Sequence, residues 1–127
     1  MKRPERIAIA IIVGFGLPQL VYAHAALVKA VPGNRAVVHA MPLQIELCFN
    51  EEIELKFSSV HLLDEKGTAL ELGSVQPGRS PKCLAVGIKA VGLSTGVYTV
   101  NYRVLSQDGH VVEYGYQFTV KAESDSR

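Results

Sequence analysis

Four stretches of this chain alternate apolar and polar residues with a period of two, and no other feature restricts the fold as much. Leu43, Ile45, Leu47 and Phe49 alternate with Gln44, Glu46, Cys48 and Asn50. Leu84, Val86 and Ile88 alternate with Cys83, Ala85 and Gly87. Tyr98, Val100, Tyr102 and Val104 alternate with Thr99, Asn101 and Arg103. Val112, Tyr114, Tyr116, Phe118 and Val120 alternate with Glu113, Gly115, Gln117 and Thr119. Successive side chains of a strand point to opposite faces, so this is the signature of half-buried antiparallel strands. After residue 23 no helical periodicity competes with it.

Turn signals separate the runs: Pro32-Gly33-Asn34, Asp64-Glu65-Lys66-Gly67, Pro77-Gly78, the stretch from Gly92 to Gly96, and Asp108-Gly109. Strands are expected over 26–30, 43–50, 58–63, 69–73, 83–89, 97–105 and 112–120. About seven short strands in roughly 100 residues predict an all-β, immunoglobulin-like Greek-key sandwich. Leu93-Ser94-Thr95-Gly96-Val97-Tyr98 reads as a tyrosine corner, with the Tyr98 hydroxyl bonding back to the main chain.

Residues 1–23 have the layout of a secretory signal peptide. Lys2, Arg3 and Arg6 precede an apolar run from Ile7 to Leu17, and Val21-Tyr22-Ala23 offers a cleavage site. The run falls short of the ~20 apolar residues of a spanning helix; an uncleaved anchor is the alternative. Cleavage after Ala23 leaves residues 24–127 as one small domain. Removing Lys2, Arg3, Arg6 and Glu5 from 13 basic and 12 acidic residues leaves ten against eleven, a formal charge of −1. No basic stretch is present to hold nucleic acid.

Cleavage there makes His24 the first residue. A terminal histidine offers its α-amine and imidazole to the same ion. If every strand reverses direction, the second–third, fourth–fifth and sixth–seventh loops lie at the end where the first strand begins. Asp108 and His110 then share a pole with His24, and Glu51, Glu52 and Glu54 lie close by. Asp108 and His110, two apart in extended chain, face the same way, and Gly109 allows a tight backbone. Three nitrogens and one carboxylate oxygen near a plane suit Cu(II). Zinc, the rival, prefers a tetrahedron. Taken alone, Asp108-Gly109-His110 is an ordinary exposed turn; the independent placement of His24 changes that. His39 and His61 are expected on the surface. Glu51 is a candidate outer carboxylate, although glutamates near a loop usually form a solvated cluster. Met41 is the sole methionine after Met1, so no thioether cluster for Cu(I) exists.

Cys48 and Cys83 fall on the outward faces of strands that neighbour each other in an immunoglobulin-type order. In an oxidising compartment a cross-strand disulfide is expected. Free thiols are the alternative, and a Cys–Cys copper site is disfavoured, since no third soft ligand lies nearby in sequence.

At these residues the chain resembles the CopC family of periplasmic copper-binding proteins. The carriers are His24-Ala25-Ala26-Leu27, Val31-Pro32, Leu47-Cys48-Phe49-Asn50-Glu51, the long run from Gly96 through Tyr102-Arg103-Val104-Leu105-Ser106-Gln107-Asp108-Gly109-His110, and Gly115-Tyr116-Gln117-Phe118-Thr119-Val120. The resemblance implies a cupredoxin-like or immunoglobulin-like sandwich, Cu(II) held by His24, Asp108 and His110, delivery of copper in the periplasm, and an inner-membrane partner of the CopD type. It implies a carrier, not an enzyme. Three features depart from the family: the methionine-rich segment is missing, Tyr102 stands where a tryptophan is common, and Cys48 and Cys83 are extra. A histidine-brace copper oxidase shares only the terminal histidine, and a metal-free binding sandwich is the remaining alternative.

Overall fold

A computed structural model describes Gly14, Gly16, residues 25–90 and residues 94–122. The presequence otherwise, His24, residues 91–93 and residues 123–127 lie outside the described residues. Eight strands are present: β1 (Leu27–Val31), β2 (Val37–Val38), β3 (Gln44–Phe49), β4 (Ile53–Leu63), β5 (Leu72–Pro77), β6 (Cys83–Ile88), β7 (Gly96–Ser106) and β8 (Val111–Val120). They form two four-stranded sheets, ordered β1-β3-β6-β5 and β2-β8-β7-β4. This is the expected Greek-key β-sandwich. No helix among the described residues is long and apolar enough to cross a membrane.

Most of the alternation became the core, although Leu43 and Tyr114 are exposed. Ile45, Leu47 and Phe49 of β3 face Leu84 and Val86 of β6 and, from the other sheet, Tyr98, Val100, Tyr102 and Val104 of β7 with Tyr116, Phe118 and Val120 of β8. Phe49 and Tyr102 meet edge to face with ring centroids 5.5 Å apart, and Tyr98 stacks on Phe118 at 5.8 Å. Truncating a ring of this kind in a packed core costs about 3–5 kcal/mol. The Tyr98 hydroxyl donates to the Ser94 carbonyl at 2.6 Å, closing the expected tyrosine corner. The Tyr116 hydroxyl donates to the Pro32 carbonyl at 2.8 Å, tying the loop after β1 to the opposite sheet.

Three boundaries differ from expectation, each for a local reason. β2 is an eighth strand, only two residues long and parallel to β8, so not every neighbouring pair is antiparallel. Two residues cannot display a period. β4 starts at Ile53 rather than near 58, because its pairing with β7 shifts register between Glu54 and Ser59. Ile53 and Leu55 face inward before the bulge, Val60 and Leu62 after it; the inward set passes from odd to even positions and the alternation is lost on paper. The segment expected as a strand at 69–73 makes one isolated bridge, Leu63 to Ala69, and the strand proper runs over Leu72–Pro77.

Candidate metal centre

Three main-chain hydrogen bonds and one to a side chain bring loops together at one end of the sandwich. The Asn50 N–H donates to the Ala26 carbonyl at 3.0 Å, and the Ala26 N–H donates to the Asn50 side-chain oxygen at 2.8 Å. The segment entering β1 is thereby clamped to the β3–β4 turn. The Gln107 N–H donates to the Glu52 carbonyl at 2.9 Å, which locks the β7–β8 turn to that same turn. The Ile53 N–H reaches the Pro81 carbonyl at 3.3 Å, adding the β5–β6 loop. The convergence expected from strand reversal is therefore present for every described segment. Ala25, one residue after His24, is buried at 1 % exposure, while His24 itself lies outside the described residues.

The β7–β8 turn organises its own side chains. Gly109 sits at φ +91°, a conformation that suits glycine and strains other residues. It lets the chain reverse so that the Ser106 N–H donates to the His110 carbonyl and the Gly109 N–H to the Ser106 carbonyl, both at 2.9 Å. The Asp108 carboxylate accepts from the Ser106 hydroxyl and from the His110 backbone N–H, the latter at 3.0 Å. His110 Nδ1 lies 3.0 Å from the same Asp108 oxygen. Asp108 and His110 do come together, through a side-chain-capped turn and not through the extended segment expected from their spacing.

Electrostatics follow from these bonds. The Ser106 hydroxyl, then the His110 backbone N–H, hold the Asp108 carboxyl down at about 2 against the desolvation that opposes them. A carboxylate so stabilised stays an anion through the whole working pH range. Ser106 also lies 3.1 Å from a Glu51 oxygen, and Glu51, Glu52, Gln107 and Asp108 line a common surface groove. A cleft with this excess of carboxylates attracts cations.

Ser106 was missed in the sequence. The signal existed: it is the inward position following Tyr98, Val100, Tyr102 and Val104, it is polar, and it is buried at 1 % exposure. The period of two marks Asn50 as an outward strand residue and gives no sign of its clamp on Ala26. The other histidines lie elsewhere and are exposed. His39 Nδ1 is 3.3 Å from the Lys121 carbonyl, and His61 lies on the outer face of β4 beside Asn101 and Tyr114.

Cys48 and Cys83 are opposite one another across β3 and β6 and are joined by a disulfide. Both are outside the interior cluster, on the outer face of that sheet, as the alternation required. Beside them Arg79 Nε donates to Glu46 Oε1 at 2.5 Å and Arg79 Nη2 to Glu46 Oε2 at 3.2 Å. These hydrogen bonds from Arg79 set the Glu46 carboxyl below its usual range.

Comparison with known proteins bears on all of this. The sequence model described as the CopC domain matches residues 27–121. Protein YobA of Escherichia coli K12 is 35% identical over 120 residues, covering 94% of this chain and 96% of that protein. Copper resistance protein C of Escherichia coli is 35% identical over 106 residues, covering 78% of this chain and 82% of its own. The crystal structure of CopC from Methylosinus trichosporium OB3b superposes with a TM-score of 0.73 at 33% identity, covering 82% of this chain and all of that one. With both the fold and the sequence matching, this chain belongs to the CopC family of copper resistance proteins.

Proposed function

We propose that the chain is exported, cut after Ala23, and binds Cu(II) at the pole described above. In this reading the ligands are the His24 α-amine and imidazole, an imidazole nitrogen of His110, and the Asp108 carboxylate. Copper is the cargo: the protein carries or sequesters it in the periplasm for homeostasis or resistance, and hands it to an inner-membrane protein of the CopD type. It acts as a carrier and not as a catalyst.

The observation that carries the reading is the Ala26–Asn50 clamp. It fixes the backbone two residues beyond His24 to the turn that neighbours Asp108 and His110. The chemistry of the donors fits the ion. An amine, two imidazoles and a carboxylate form a nitrogen-rich set with one oxygen, and the divalent series peaks at copper for such ligands. Asp108 supplies its charge without having to lose a proton first, because its carboxyl is already held at about 2. The neighbouring carboxylates add attraction for the incoming cation.

A titration of the processed protein against a form carrying one extra residue before His24 tests this. The extra residue moves the α-amine out of chelate range of the imidazole. The processed protein should bind Cu(II) markedly more tightly. Equal affinity of the two forms refutes the ligand set.

A further inference from the structure

The second cluster of metal-ligating side chains lies on the outer face of the β1-β3-β6-β5 sheet. Among the described residues, Glu46, Cys48 and Cys83 each place one ligand atom within 4.8 Å of the others. We propose that, once the Cys48–Cys83 disulfide is reduced, these two thiolates form a second metal site, selective for Cu(I) and closed whenever the disulfide is intact. The proposal is independent of the Cu(II) reading, since it uses none of His24, Asp108 or His110.

The backbone is already arranged for it. The Phe49 N–H donates to the Lys82 carbonyl at 2.9 Å, which makes Cys48 and Cys83 a non-hydrogen-bonded cross-strand pair. In such pairs the side chains stand closest, and here the Cα atoms are 4.1 Å apart. A metal–thiolate bond of about 2.3 Å puts two sulfurs on one ion no more than ~4.6 Å apart. Side chains on directly opposed residues can span that without moving a strand. Soft thiolates favour Cu(I) among the ions that sulfur selects. A two-coordinate ion also fits the supply of donors. Glu46 is already committed to Arg79, so two sulfurs remain and the four ligands that zinc prefers are not on hand.

The surroundings give each neighbour a part. Cys48 Sγ lies 3.7 Å from Glu46 Oε1, so Glu46 can accept the Cys48 S–H in the reduced state and pass its proton to solvent. Glu46 is a positioning residue there. Arg79 keeps a positive charge beside a complex that carries −1. Cys83 lines a groove of about 410 Å³ with Ile53, Leu55, Pro77 and Gly78. A Cβ on Gly78 would fall 2.6 Å from the Cys83 Cβ, so only glycine lets the loop cross so near this cysteine.

The balance is simple. A dithiol reductant attacks one sulfur, forms a mixed disulfide, and leaves as its own disulfide, so that two electrons and two protons pass to Cys48 and Cys83. One Cu(I) then displaces both thiol protons and becomes bis-thiolate bound.

The test is an anaerobic Cu(I) titration of the full chain, reduced and oxidised, against a chromophoric Cu(I) chelator, with thiolate-to-copper absorption in the near ultraviolet and circular dichroism recorded throughout. The reduced protein should take one Cu(I) from the chelator with new near-ultraviolet absorption, and the oxidised protein none. C48S should abolish uptake. E46Q, which retains both sulfurs, should weaken it by about tenfold, as loss of an outer-shell partner does. H110A should leave it intact, which separates failure of this proposal from failure of the Cu(II) reading. Equal Cu(I) uptake by both redox forms, retention in C48S, or preference for Zn(II) over Cu(I) overturns the proposal. So does a reduced chain that loses its β-sheet signal and does not regain it with Cu(I).

Discussion

Ala26 and Asn50 exchange two hydrogen bonds across 24 residues of sequence: the Ala26 N–H gives to the Asn50 side chain at 2.8 Å, and the Asn50 N–H returns to the Ala26 carbonyl at 3.0 Å. The pair holds the entry to β1 against the β3–β4 turn. Asn50→Ala removes the first bond and leaves the second. Asn50 is exposed, so the fold should persist. A net hydrogen bond is worth about 0.5–1.5 kcal/mol. The expected outcome is Cu(II) binding weakened by about fivefold with an unchanged circular dichroism spectrum. A loss of fold instead of affinity would mean that Asn50 serves the sandwich and not its pole.

The histidines should rank by place. His110→Ala should lower Cu(II) affinity far more than His39→Ala or His61→Ala. Only His110 shares a turn with Asp108; His39 lies beside Lys121, and His61 on the outer face of β4. Competition titrations of the three variants decide it, and equal losses across them would remove His110 from the site.

Acid should release the metal in a defined window. Amine and imidazole nitrogens bind only when deprotonated, and ordinary α-amines and imidazoles titrate near 8 and 6.5 respectively. Affinity should therefore fall progressively below about pH 6.5. Asp108 should add no slope there, since Ser106 holds its carboxyl at about 2. A depressed carboxyl favours the folded state above its unfolded value of about 3.9, and that contribution fades as pH falls toward 2. In Ser106→Ala the carboxyl should rise toward 3.9, and copper affinity between pH 4 and 5 should fall more steeply with acid than it does in the wild type, because Asp108 then adds its proton to those of the nitrogens. A flat affinity from pH 8 to 5 would point to carboxylates, Glu51 and its neighbours, as the ligands.

Thiol labelling of the denatured, unreduced protein should find neither cysteine reactive. The bridge closes 35 residues of chain. Replacing both cysteines by alanine should then cost on the order of 3–4 kcal/mol in denaturant unfolding, through the entropy returned to the unfolded chain. A loss well under 1 kcal/mol would show that the β3–β6 ladder alone sets the stability of this sheet.

Strands with an uninterrupted period were legible: Gln44–Phe49, Cys83–Ile88, Gly96–Ser106 and Val111–Val120 match the alternating runs to within a residue or two. What hid the rest was phase. The bulge in β4 moves the inward face from Leu55 to Val60, and a reader counting in twos loses the strand there. β2 exists because Val37 and Val38 find Thr119 and Val120, a partner about 80 residues away that no local pattern announces. At the pole, Asp108 and His110 were legible because glycine and chain reversal mark the turn. Ser106 was not, because a serine ending an apolar alternation looks like the end of the strand. Its burial depends on Glu51 and Asp108 closing over it.

The bonds that frame the pole run between main-chain groups: Asn50 to Ala26, Gln107 to Glu52, Ile53 to Pro81, Ser106 to His110. A scaffold of this kind is indifferent to most of the side chains it carries. Glu52 and Gln107 give the frame only their amides and carbonyls, so substitution there alters the local field and leaves the architecture standing. Charge, donor softness and rim width at this end of the sandwich can thus change without disturbing the main-chain frame that holds its loops together.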